Sequence, residues 1–511
     1  MTAMTATVEA RPRGLSGLLD RYYQLHPTYL LIVRWTWIAA LTGIAFRESF
    51  VSIGLTAHRE GIGGYVWTVP TVALLVAIGI SRRHRTELPI HDRQTDIIVG
   101  TMGLVLALLI QLVLLQRYAL YFHLLRLDLL AMWLYVLSSS IVLFGLRPVA
   151  RFAWVWAMMS MVFALPYYLL VIFLGGGKFA AGAANLLIAG IGAGIATGRT
   201  MRRGLTGSIA AWVVGFTVLG IIFVAFTDAP VVVYQEVPPV TAVIVVGIVM
   251  FLRSRRGMPK RVLDRKVEPL AVWQVWSALP LVIAVAVPLA FVQLPTEAST
   301  TPITRTSPGQ LSPGQPLVAP VGWVTVQRQD YRDMKRLYGE NAVLVRQGMT
   351  SLNSDTRFDK LARPRTVVVD SLVSERPFSF GVYPNRVLYG LTDARISAPR
   401  PVDLGMGVTG QMFSVVDDDL LVTWNSLQFA WGDGQLAQRV TIFAVDNHDP
   451  GAPFPEPSAD ITSSVRTLIT LLFRGNAVLD ARKPSFKDAE LLTEFGRALV
   501  AEQFRSSGNT G

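Results

Sequence analysis

Long apolar runs fill the chain up to residue 294, and shorter alternating patterns take over after it. A helix needs about 17 to 25 apolar residues to cross a hydrocarbon core of about 30 Å. Nine runs approach that length: Tyr29 to Phe46, Gly64 to Ile80, Ile97 to Leu115, Leu127 to Leu146, Phe152 to Leu174, Phe179 to Gly198, Ser208 to Phe226, Val240 to Leu252 and Leu270 to Leu294. The eighth is the shortest and begins after Pro238 and Pro239, so a tilted or re-entrant segment is an open alternative there. The pattern predicts a polytopic α-helical membrane bundle of about nine transmembrane helices over 29–294, preceded by a segment at 1–28.

Beyond it the texture changes. Residues 295–320 are rich in Pro, Ser and Thr and predict an extended linker, too polar to pack. Residues 321–506 predict a small α+β domain, with a short tail at 507–511. Strands are expected at Trp323 to Val326, Ala342 to Arg346 and Thr366 to Val369, and a short helix at Asp330 to Tyr338 stopped by Gly339. Leu427, Phe429 and Trp431 alternate with polar neighbours before Gly432-Asp433-Gly434, and Val440, Ile442 and Ala444 alternate after it, which predicts a hairpin. Two closing helices follow, one from Ile461 to Leu472 and one from Ser485 burying Leu491, Leu492, Phe495 and Leu499, with Asp488 available to cap it.

Composition agrees: 51% of residues are hydrophobic and 16% charged, against about a quarter charged in soluble domains. The net charge of +12 is uneven, with 25 Lys+Arg against 12 Asp+Glu up to Pro295 and 22 against 23 after it. Positive charge confined to the apolar half points to membrane topology and away from nucleic acid. With the N-terminus in the cytoplasm, the inner segments hold 19 basic residues and the outer loops 5. The expected placement is therefore a plasma membrane protein with its C-terminal domain extracytoplasmic. The first span has no convincing small-residue cleavage site and is expected to be a retained anchor.

Zero cysteines exclude disulfides, cysteine-ligated metals and thiol nucleophiles. Polar residues within the spans are few. Arg34 is expected to snorkel to inner headgroups, Gln111 is deep in the third span and Asn185 lies in the sixth. No span carries a central carboxylate, which disfavours an ion-coupled carrier. Gly190, Gly194 and Gly198 allow close helix packing, with a mobile or dimerising helix as the alternative.

Candidate chemistry is sparse. Arg117, His123, Arg126 and Asp128 share the outer end of the third and fourth spans, where His123 and Asp128 could supply acid–base groups; an aromatic interfacial belt or an Arg126–Asp128 pair explains them equally well. Asp446, His448 and Asp449 form a weaker ligand-binding candidate, with turn chemistry as the competing account. Asp417-Asp418-Asp419 is expected to be a solvated turn. Phosphate-loop, nucleophile-elbow, metalloprotease and dinucleotide motifs are missing from the sequence, and no metal or cofactor is expected.

One stretch resembles a known family. Arg82-Arg83-His84-Arg85 after a span, a polar loop through Arg93, and Arg126-Leu127-Asp128-Leu129-Leu130 leading to Phe144-Gly145-Leu146-Arg147 is similar to the membrane core of the exosortase/archaeosortase family. Those multi-pass proteins process and anchor exported proteins in prokaryotic envelopes, and some carry an extracytoplasmic domain after the core. The resemblance implies a thiol transpeptidase, yet this chain has no cysteine, and the corresponding place around Val240 and Thr241 offers only a threonine. Kinship therefore implies an inactive or repurposed member. The leading expectation is a non-catalytic scaffold or binding component of envelope export or assembly, with membrane lipid and an envelope protein or glycan as partners. The alternative is an exosortase-like or lipid-linked-glycan enzyme, and a transporter ranks last.

Overall fold

The computed structural model describes residues 27–59, 61–83, 93–255, 278–296, 302–391, 394–449, 451–460 and 484–508, with isolated positions between 462 and 470. The closing helix expected at Ile461 to Leu472 and the basic cluster from Arg256 to Lys266 lie outside the fully described residues.

The apolar runs form helices α1 (Pro27–Ala45), α2 (Arg47–His58), α3 (Thr68–Ser81), α4 (Arg93–Leu109), α5 (Leu127–Phe144), α6 (Ala153–Met159), α7 (Ala164–Phe173), α8 (Gly177–Thr197), α9 (Met201–Ala225), α10 (Val231–Arg255) and α11 (Leu279–Ala290). Among the described residues, six helices are long and apolar enough to cross a membrane, or up to eight if each of two bent pairs counts as one span. The bends are 72° between α1 and α2 and 70° between the Ala153–Val162 and Ala164–Phe173 helices. The fifth apolar run is thus a broken helix. The eighth is longer than its sequence suggests: α10 starts seven residues before Pro238 and runs through both prolines. α11 is a shorter apolar helix of 12 residues.

α8 is the hub, with 78% of its apolar window buried. Its small residues let α9 approach closely: a methyl group added at Gly190 would fall 1.8 Å from Trp212 Nε1, and one at Gly194 would fall 2.2 Å from Ser208 Oγ. The glycine stripe is therefore a packing face within the bundle. Helix ends at one pole are tied by basic side chains. Arg83 donates to the Ile195 carbonyl, Arg151 to the Arg83 carbonyl at 3.1 Å and Arg199 to the Arg82 carbonyl at 3.4 Å. Arg34 does not snorkel away. It is 4% exposed and donates to the Leu143 carbonyl near the C-terminal end of α5.

The C-terminal part is an eight-stranded antiparallel sheet, β1 (Trp323–Tyr331), β2 (Val343–Ser351), β3 (Thr366–Ser374), β4 (Arg395–Ile396), β5 (Arg400–Asp403), β6 (Thr409–Asp417), β7 (Val422–Gly432) and β8 (Ala437–Val445), in the order β1-β2-β3-β8-β7-β6-β4 with β5 also on β6. Period-two alternation gives the sheet two apolar faces. Val367, Val369, Leu427, Phe429, Val440 and Ile442 pack against α12 (Ala489–Gly508), which buries Leu491, Leu492, Phe495 and Leu499 as its periodicity predicts. Val368, Leu372, Trp424 and Phe443 face the other way and join one continuous core with the helical bundle.

Two expectations change here. The 302–320 stretch is irregular but pinned, because Leu311 and Leu317 are buried in the sheet core and Gln347 holds both the amide and the carbonyl of Leu317. Asp488 precedes α12 but its carboxylate pairs with Arg365 at 2.8 Å. The acidic triplet is a turn, in which Asp417 accepts from the Asp419 and Leu420 amides and Asp418 pairs with Arg395.

Candidate functional site

The sheet domain sits directly on one pole of the bundle, opposite the basic helix ends. A run of three glycines turns the chain here, and the second and third permit the close approach. Gly175, Gly176 and Gly177 all have positive φ, and a methyl group on Gly176 would fall 2.4 Å from the Arg336 Cα. Beside them the Lys178 amide donates to Glu340 at 3.0 Å. Tyr168 of α7 meets Tyr383 at 6.3 Å between ring centroids.

Three of the four residues expected at this pole come together beneath the sheet domain. A short helix, Phe122–Leu125, ends at Arg126, whose left-handed backbone (φ 46°) turns the chain sharply into α5. That turn folds the guanidinium back onto Asp128, two residues on, in a bidentate pair at 3.0 and 2.9 Å. Asp128 is also in the first turn of α5, where a negative charge is favoured. Ser52 of α2 accepts from Arg126 at 3.4 Å and the Phe122 ring lies 5.0 Å beneath the guanidinium. Arg126 is 4% exposed and Asp128 0%. Arg117, in contrast, is exposed and does not share this buried setting.

His123 is 4% exposed, between Phe122 at 5.0 Å and the sheet domain's Phe378 at 4.6 Å, both edge-on. Neither ring nitrogen makes a hydrogen bond of normal geometry. Burial, reinforced by the Arg126 and Arg59 guanidiniums and opposed by the Thr296 backbone, pulls its pKa down to about 3 from the ordinary 6.5. The imidazole is neutral across the physiological range. The site is thus a closed joint: an ion pair buried in the bundle and a neutral ring packed between the bundle and the sheet domain. A shallow cleft of about 460 Å³ lies elsewhere, lined by Ile303, Arg305, Pro377 and the turn at 432–437.

The second candidate, Asp446, His448 and Asp449, is stitched to two other segments. His448 Nδ1 meets Asp359 at 2.9 Å, and its other nitrogen contacts Arg365, which pairs with Asp488 at 2.8 Å. Lys487 pairs with Asp446 at 2.6 Å, and Arg363 lies 3.6 Å from Asp449. Burial would raise the Asp359 pKa, but bonds from Arg363, the Leu361 amide and His448 outweigh it and hold the group well below the usual carboxylate range. These residues clamp the loop after β8 onto the start of α12. No group of three or more His, Cys, Asp or Glu that could hold a metal ion occurs among the described residues.

A third polar cluster was not anticipated. Gln235 and Glu236, which fall between the seventh and eighth apolar runs, are in the second turn of α10, in contact with Thr68 of α3 and Asn185 of α8. A carboxylate therefore does lie within an apolar helix. The Pro238-Pro239 pair hid it by marking a false helix start, although transmembrane helices tolerate prolines whose freed carbonyls find other donors. No family model, curated protein or solved structure matches the chain.

Proposed function

We propose that the chain is a non-catalytic, membrane-anchored scaffold or binding component of a prokaryotic cell envelope, acting in export or assembly. The observation that carries this reading is the closed joint. The residues best suited to acid–base chemistry are buried and engaged, Asp128 with Arg126 inside the bundle and His123 between Phe122 and the sheet domain's Phe378. An enzyme of the exosortase-like or glycan-processing kind needs those groups open to substrate. Kinship with the exosortase-type core, on this reading, is that of a member whose reactive centre has become structural. The partner is an envelope protein or glycan bound by the sheet domain.

The orientation proposed is an N-terminus in the cytoplasm of a plasma membrane protein and the sheet domain outside, with the last described apolar helix α11 making a ninth crossing. The gathering of Arg82, Arg83, Arg151 and Arg199 at the pole away from the sheet supports it, since basic residues are retained inside. Because the chain has no cysteine, single introduced thiols report cleanly. Asp418→Cys, on the exposed turn of the sheet, is expected to react with a membrane-impermeant maleimide in intact cells, and Arg202→Cys only after permeabilisation. The reverse pattern defeats the orientation. For the function, a deletion strain complemented with His123→Leu is expected to recover the wild-type envelope phenotype. Loss of the phenotype at normal abundance defeats the scaffold reading in favour of an enzyme.

A further inference from the structure

The proline pair in α10 sets up a chain of hydrogen bonds across three helices. Neither Pro238 nor Pro239 has the N–H that would close a helical bond four residues back, so the Tyr234 and Gln235 carbonyls lose their usual donors. α8 repairs the second: Asn185 Nδ2 donates to the Gln235 carbonyl at 2.7 Å and to Thr68 Oγ1 at 2.9 Å. Thr68 passes its own hydroxyl hydrogen to Glu236 Oε2 at 2.7 Å. Gln235 commits both amide hydrogens, to the Ile62 carbonyl at 2.6 Å and to Tyr167 Oη at 2.7 Å, and Tyr167 donates to the Ala181 carbonyl at 2.8 Å.

Every amide and hydroxyl hydrogen of Asn185, Gln235, Thr68 and Tyr167 is therefore assigned, and neither amide can flip without setting its oxygen against a carbonyl. Three oxygens remain without a donor: Asn185 Oδ1, Gln235 Oε1 and Glu236 Oε1. Asn185 and Gln235 are both 0% exposed. Gly64 supports the arrangement, since a methyl group there would fall 3.0 Å from Gln235 Oε1. Among the described residues no basic side chain forms an ion pair with Glu236. Burying three acceptors with no positive partner is unfavourable, and one of them belongs to a carboxyl group.

We infer that Glu236, Asn185, Gln235 and Thr68 form a binding site for a single monovalent alkali cation inside the bundle. Uncharged and carboxylate oxygens alone suit a hard cation, and one positive charge neutralises one carboxylate, whereas a divalent ion would leave net charge in an apolar setting. The cation ties α3, α8 and α10 together at the point where the prolines weaken α10. Nothing in this inference depends on the scaffold reading, because it concerns the bundle alone.

The test is thermal unfolding of the full-length protein in detergent, in choline chloride and in NaCl, KCl or LiCl at equal ionic strength. The expected result is a saturable rise in Tm with at least one alkali cation and none with choline. Glu236→Gln, nearly isosteric and still able to accept from Thr68, is expected to lose that response while unfolding in choline no earlier than wild type. Should this variant not accumulate, equilibrium binding of radioactive sodium to wild type, displaced by unlabelled alkali chlorides but not by choline, gives the same decision. Identical wild-type curves in all four salts overturn the proposal, as does a Glu236→Gln variant that keeps the cation response. A Tm that moves with pH and with no alkali cation places a proton there instead and equally overturns it.

Discussion

Replacing His123 by leucine separates a packed joint from a chemical site, because the two demand opposite things of the imidazole. At neutral pH the effects of substitution nearly cancel. Removing a buried polar ring without well-formed hydrogen bonds relieves a penalty of about 1–3 kcal/mol, while losing two edge-on aromatic contacts costs about 0.5–1.5 kcal/mol each. The pH dependence is more decisive. The folded pKa of about 3 lies below the ordinary 6.5, so between these values the opened state binds a proton that the docked state does not. The stabilising contribution is full above pH 6.5 and is lost as pH falls toward 3. At pH 5, some 1.5 units below the ordinary value, the loss is about 2 kcal/mol at 1.36 kcal/mol per unit. The assay is unfolding of the purified protein in mild detergent at pH 7.5 and pH 5, wild type beside His123→Leu. Wild type is expected to lose about 2 kcal/mol more than the variant over that interval. Parallel pH dependences would refute the reasoning, since they would mean that His123 is accessible and titrates normally in the folded protein.

Further substitutions probe other parts of the account. Asp128→Ala strands the Arg126 guanidinium in a buried site and is expected to destabilise by about 3–5 kcal/mol, read as lost accumulation and a lower Tm. Asp359→Asn tests the clamp on α12. The depressed pKa of Asp359 means that its stabilisation is present above the ordinary carboxylate value and disappears as pH falls through the folded one, so wild type is expected to exceed the variant in stability at neutral pH and converge with it in acid. A gap that persists in acid would contradict this. Gly190→Ala forces α8 and α9 apart at Trp212 and is expected to cost about 1–3 kcal/mol, whereas Gly220→Ala, which meets nothing within 4 Å, is expected to be neutral or slightly stabilising.

Local physics made much of this fold legible. The β7–β8 hairpin follows from alternation around Gly432-Asp433-Gly434, and the buried face of α12 from helical spacing. The Arg126–Asp128 pair was foreseeable because the two residues are neighbours in sequence. What escaped the sequence is what depends on distant partners. Whether His123 faces water or protein is decided by Phe378, which lies 255 positions later, in the sheet domain. The same applies to Glu236. Its place inside α10 requires Asn185, on another helix, to take a carbonyl that Pro239 leaves free, and no short-range rule contains that repair. The polar 302–320 stretch looked unable to pack because composition describes an average, while two leucines and one glutamine fix it. Buried Arg346, paired with Asp370 at 2.7 Å, and Arg439, stacked near Tyr338 and Phe380, sit at strand positions where a sequence reading expects solvent-facing charge.

The central claim is that the sheet domain stays seated on the bundle and that its seat is not an active centre. Gly177→Cys with Glu340→Cys places a unique thiol pair across that seat in a chain otherwise free of cysteine, since a Cβ on Gly177 would fall 3.1 Å from Glu340 Cγ. Oxidation in native membranes is expected to form an intramolecular disulfide, and the locked protein is expected to complement a deletion strain as well as wild type does. Failure of the pair to cross-link, or a cross-linked protein that loses function and regains it on reduction, would contradict the account, the latter by showing that the domain must lift to expose His123, Arg126 and Asp128.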